Sequence, residues 1–83
     1  MPNEKQQEYE DRLRNDLKRI GKRLRALRGC RTMSGVCRET GISYSMLTKI
    51  EYGMRKPGGE VLKKLAEYYG VSEKSILNPE DGA

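Results

Sequence analysis

The stretch GISYSMLTKIEYG, Gly41 to Gly53, places Tyr44, Ser45, Thr48 and Lys49 at the spacing of one helix face, with Leu47 and Ile50 opposite. These four side chains offer hydroxyl and ammonium hydrogen-bonding groups on a helix that packs few apolar residues. A nucleophilic reading would pair Ser43 or Ser45 with Lys49, but serines at a helix start serve as caps. The chain has no histidine and no paired carboxylates to complete an active site, so it reads as non-enzymatic. Cys30 and Cys37 stand seven residues apart without a histidine or a second cysteine pair, which excludes a zinc pattern. They read as reduced thiols, and no metal or cofactor is expected.

What remains is hydrogen bonding and charge. The formal net charge is +5, and it is concentrated: Lys18 to Arg31 holds seven bases and no acid. Met1 to Leu17 holds five acids against three bases, and the segment after Pro57 five acids against three lysines. A central basic block of this kind is the electrostatic footprint expected for a polyanion partner. The alternative is that bases near the end of a long helix and acids near its start merely complement its dipole.

The elements that must position these groups are short. Eighty-three residues form one domain with a small core, and 35% apolar residues without Phe or Trp suit a small helical fold. Tyr9, Leu13, Leu17, Ile20, Leu24 and Leu27 form one stripe of a helix over about 4–28, stopped by Gly29. Gly21 interrupts it, for a close backbone approach or a bend. Thr32 caps a second helix, MSGVCRET, with Val36, Cys37 and Thr40 inward and Gly41 at its end; Ser43 caps the third, which stops at Gly53. After the MRKPGG turn, a fourth helix spans about 60–69 with Val61, Leu62, Leu65, Ala66 and Tyr69, and Ser72 caps a short fifth around Ile76 and Leu77. The predicted organisation is an N-terminal helical extension at 1–19, a domain at 20–77 and a polar tail at 78–83. Strand patterns, repeats and low-complexity segments are absent from the sequence, and no apolar stretch approaches a leader or a membrane span, so a cytoplasmic location is expected.

Small Cys37, turn-forming Gly41, Ile42, then Leu47 and Ile50 make a helix-turn-helix pattern, whose second helix enters the major groove of DNA. IGKRLRALR (Ile20 to Arg28), VCRETGIS (Val36 to Ser43), LTKIEYGMRKP (Leu47 to Pro57) and LKKLAEYYGVS (Leu62 to Ser72) resemble the lambda Cro and repressor type of DNA-binding domain, also called the xenobiotic-response-element type. The resemblance covers about residues 20–77. It implies an all-α, compact five-helix lambda-repressor-like fold, here with an extended first helix.

By position, the resemblance implies base reading by Ser43, Tyr44, Ser45, Thr48 and Lys49. Lysine suits guanine O6 or N7, hydroxyls serve several bases, and Tyr44 can meet a thymine methyl or a phosphate. It puts Arg55 and Lys56, and the helix start at Thr32 and Met33, at the DNA backbone, together with the amides that open the fourth helix. It implies a structural ion pair between Arg28 and Glu51, the alternative being Arg28 on the DNA face. Three departures stand out: the connection Gly29-Cys30-Arg31 is about two residues short, Met33 replaces a glutamine that braces a phosphate and a base reader, and Thr40 replaces a large aliphatic.

The implied function is a sequence-specific double-stranded-DNA-binding transcriptional regulator, a repressor of a mobile element, prophage or compact operon. A homodimer on a pseudo-palindromic operator follows from the few base contacts that one domain offers. Two surfaces compete for the dimer contact: Tyr68, Tyr69, Ile76 and Leu77, or Tyr9, Leu13 and Leu17 on the extension, whose stripe alternatively folds back on its own core. The alternative function is an antitoxin-like protein-interaction module that uses the extension to hold a protein partner.

Overall fold

A computed structural model of the chain describes the backbone of residues 4–78 and the side chains of residues 12–78. Its helices are α1 (Glu4–Arg28), α2 (Met33–Thr40), α3 (Tyr44–Glu51), α4 (Gly59–Tyr69) and α5 (Glu73–Leu77). No strand occurs among the described residues, and the fold is the all-α, five-helix lambda-repressor-like arrangement. The Tyr9 side chain and the polar tail beyond Asn78 lie outside the described residues.

Local chemistry accounts for most helix ends. Thr32 Oγ1 accepts from the Gly35 N–H at 3.0 Å, Ser43 Oγ from the Met46 N–H at 3.1 Å, and Ser72 Oγ from the Ser75 N–H at 3.1 Å. Each satisfies a donor that a helix start leaves unpaired. Gly41 ends α2 at φ 77°, a left-handed conformation that a side chain would strain, and this gives the sharp turn into α3.

The core gathers Ile20 and Leu24 of α1, Val36 of α2, Ile42 of the turn, Leu47 and Ile50 of α3, Leu62, Leu65 and Ala66 of α4, and Ile76 of α5. α1 meets it only from Ile20 onward. Upstream, Leu17 is half-buried and Leu13 is 44% exposed, so the cover that the domain gives the stripe fades toward Leu13. At 1.5 Å per residue the 25-residue helix is about 37 Å long, and it stretches the molecule to 44 × 28 × 22 Å.

Gly21 marks a close approach. A Cβ there would fall on the Glu51 carbonyl oxygen and lie 2.9 Å from the Ile50 carbonyl oxygen. α1 therefore rests directly on the last turn of α3, backbone against backbone. Two departures from the family pattern are also resolved. Thr40 Oγ1 donates to the Val36 carbonyl at 2.7 Å and accepts from the Ile42 N–H at 3.3 Å, so a hydroxyl tying α2 to the turn replaces aliphatic bulk. The short α1–α2 connection is braced by Arg31, which donates to the Leu27 carbonyl at 3.3 Å and sets its guanidinium over Tyr68 at 5.6 Å and Tyr69 at 5.7 Å.

Candidate nucleic-acid interface

α3 is short, and its placement depends on what grips its ends. Leu47 and Ile50 are fully buried and fix the inward face, while the Ser43 cap fixes the start. At the other end Glu51 is only 1% exposed, a carboxylate inside a small core that needs a partner to remain there charged. Arg28 supplies it: Nε donates to Oε2 at 3.0 Å and to Oε1 at 3.1 Å, and Nη1 donates to the Arg31 carbonyl at 3.0 Å. The hydrogen bond to Glu51 raises the Arg28 pKa above its ordinary value, so the guanidinium stays charged. One residue pair thus ties the end of α1, the end of α3 and the α1–α2 turn together.

Around that pair lie two groups held protonated. Burial, with the Glu51 charge as a lesser cause, pushes the Tyr69 hydroxyl up to about 12. That hydroxyl is buried without a hydrogen-bond partner. Burial likewise pushes the half-buried Cys37 thiol up, which makes it an inert packing residue rather than a reactive one. Both cysteines are free thiols, Cys30 being exposed.

On the outer face of α3, Ser43, Tyr44, Ser45 and Lys49 are exposed, Tyr44 at 58%. Thr48 is not presented with them. It is half-buried, and its Oγ1 is buried without a hydrogen-bond partner, so its hydroxyl is withheld from the outer face. Ser43 Oγ is engaged as an acceptor by its cap and retains a hydroxyl proton to donate. Arg55 and Lys56 are exposed in the turn that ends at buried Pro57.

The two helix starts differ. At α2, the Thr32 hydroxyl already serves Gly35, and the Met33 side chain packs against the core, leaving its backbone as the part able to meet a ligand. At α4, Gly58 has no side chain to cap with, so the opening amides keep donors for an anion. Tyr52 at 62% exposure and Met54 at 71% are exposed as well, with the Arg25 guanidinium 5.9 Å from the Tyr52 ring centroid. They follow the end of α3, where helical periodicity stops, so spacing alone does not flag them.

A family model described as helix-turn-helix matches residues 22–76. The chain belongs to the helix-turn-helix family. It is a DNA-binding domain of the Cro and repressor type, and the match takes in α2, α3, α4, all but the last residue of α5 and the last turns of α1. An uncharacterized HTH-type transcriptional regulator of Bacillus subtilis (strain 168), YazB, is 34% identical over 62 residues, covering 72% of this chain and 90% of that protein. No solved structure matches the chain. Within the helix-turn-helix frame, α2 is the first helix of the motif and α3 the second. No helix among the described residues is long and apolar enough to cross a membrane, and no cluster of three potential metal ligands occurs there.

Proposed function

We propose that this protein is a sequence-specific transcriptional regulator that inserts α3 into the major groove of double-stranded DNA. The observation that carries the reading is the exposed row Ser43, Tyr44, Ser45 and Lys49 on a helix whose other side is anchored by Leu47, Ile50 and the Arg28–Glu51 pair. A rigid mount is what base reading requires, because hydrogen bonds to base edges tolerate little displacement. Lys49 reads guanine, Ser45 and Tyr44 contact neighbouring bases or methyl groups, and Ser43 donates to a base or phosphate. Thr48 acts as a spacer rather than a reader. Arg55, Lys56 and the amides opening α2 at Thr32 and Met33 and opening α4 hold the phosphates, which set register without carrying sequence.

Two copies on a two-fold-symmetric operator, with half-sites about 34 Å apart, give the base contacts that a single domain lacks. The regulator acts as a repressor in the cytoplasm, its occupancy of a compact operator, such as that of a mobile element, prophage or small operon, excluding other proteins from the same groove. Selection of bound duplexes from a random library at about 150 mM salt tests this, because weak nonspecific binding is suppressed there. Enrichment of a two-fold-symmetric motif is the expected result. A folded protein that enriches nothing refutes DNA reading and leaves the protein-interaction module in its place.

A further inference from the structure

The N-terminal half of α1 has more apolar surface than its own domain covers. Ile20 is buried, Leu17 is half-buried and Leu13 is 44% exposed, so the stripe continues outward past the last residue that the core can reach. Helices in proteins draw most of their stability from an apolar face that is covered, and at Leu13 this face is left open. Something must cover this one.

We propose that residues 7–19 of α1 dock against the same segment of a second copy of this chain, antiparallel, with the two-fold axis passing near Leu13. Charge decides the partner and the direction. Positions 7–11 carry three acids and no base, whereas positions 15–19 carry one acid and two bases. With the axis at Leu13, the acid-rich turns of each copy lie level with the basic turns of the other. Parallel pairing would set acid beside acid and base beside base, which is unfavourable. Near the axis, exposed Arg12 and Asp16 lie on the same edge of the stripe. Antiparallel pairing brings Arg12 of one copy within two residue-rises, about 3 Å along the axis, of the level of Asp16 of the other. Leu13 then meets Leu13, and Leu17 gains cover on its open side.

The competing surface is partly used inside the domain. Ile76 is fully buried in the core, Leu77 packs against it half-buried, and half-buried Tyr68 and Tyr69 carry the Arg31 guanidinium. The inference specifies the contact for the dimer in the functional reading above, yet it is tested without DNA, so the two can fail separately.

Sedimentation of the full chain, free of DNA, should show a dimer that weakens as salt is raised. Leu13→Glu should weaken self-association at least about tenfold, as expected for a central apolar contact. Leu13 is outside the core, so the variant should keep the thermal melt of the domain, which circular dichroism checks. In a Cys30→Ser, Cys37→Ala background, Leu13→Cys should cross-link to itself on oxidation and Leu17→Cys should not, because antiparallel pairing separates the two copies of position 17 by eight rises, about 12 Å. A monomer at all concentrations, a dimer indifferent to Leu13→Glu, or cross-linking at position 17 would each overturn the proposal.

Discussion

Gly21→Ala adds one methyl group at the point where α1 rests on α3, and two opposing effects set its outcome. Within a helix, Ala is favoured over Gly by about 1 kcal/mol, so propensity alone predicts a more stable protein. The methyl carbon would sit on the Glu51 carbonyl oxygen and 2.9 Å from both the Glu51 carbonyl carbon and the Ile50 carbonyl oxygen. These are backbone atoms in the last turn of a helix and cannot swing aside as a side-chain tip can. Relief requires the helices to part by about 1 Å, given an ordinary carbon–oxygen contact of about 3.3 Å. Over-packing of this kind costs about 1–3 kcal/mol, and loosening the Arg28–Glu51 pair beside it adds more, so we expect a net loss of about 2–4 kcal/mol. At roughly 4–8 °C per kcal/mol for a domain of this size, Tm should fall by about 8 °C or more. Urea unfolding followed by circular dichroism, with m unchanged, measures the loss directly. Gly59→Ala is the control, having no atom within 4 Å of the added Cβ, and should be neutral or gain about 0.5 kcal/mol. If Gly21→Ala proves as stable as the parent, the backbone contact between α1 and α3 is refuted.

Glu51→Leu should cost about 3 kcal/mol by leaving Arg28 without its carboxylate, while adding Arg28→Met should restore much of that loss; simple additivity in a double-mutant cycle would show the pair to be uncoupled. Tyr69→Phe should stabilise the protein by about 1 kcal/mol near neutral pH, because it deletes a buried hydroxyl that has no partner; a destabilised variant would mean the hydroxyl is satisfied. Tyr69 also sets an alkaline limit: its folded pKa of about 12 lies above the unfolded value of 10.0, so its contribution is complete below pH 10 and lost between 10 and 12. Discounted for partial exposure, that loss is about 1 kcal/mol, and melts across this range should show a smaller loss in Tyr69→Phe than in the parent, the remainder coming from Tyr68 and Cys37, which are also raised. On DNA, Lys49→Ala should relax base preference at one position per half-site and cost about 1–3 kcal/mol, whereas Arg55→Ala should weaken all duplexes alike and flatten the salt dependence. Equal losses from both on specific and random duplexes would remove Lys49 from the readers.

The helices were legible because their signals are local. Thr32, Ser43 and Ser72 each capture the N–H three residues on, and Gly41 and Gly70 adopt positive φ at helix ends, so these boundaries follow from neighbours in sequence. The outward placement of Tyr44, Ser45 and Lys49 follows from periodicity in the same way. Thr48 escaped that reasoning, since one turn of a helix has no sharp border between faces and the surrounding fold decides which edge residue is covered. Gly21 admitted a bend or a close approach, and the carbonyls of Ile50 and Glu51, some thirty residues away, settle it as an approach. Arg31 gave no clue to its aromatic partners because Tyr68 and Tyr69 reach it only after α4 has packed.

The sequence by itself therefore determined the five helices, their caps, the polar face of α3 and the concentration of positive charge, all consequences of contacts within a few residues. The resemblance named Arg28 and Glu51 as a pair, but only the tertiary structure decided that the Glu51 carboxylate is buried beneath it, that Thr48 is withheld from the outer face, and that Leu13 is left uncovered. Burial is a property of what another helix brings to the same place, and no residue carries that information in its own neighbourhood.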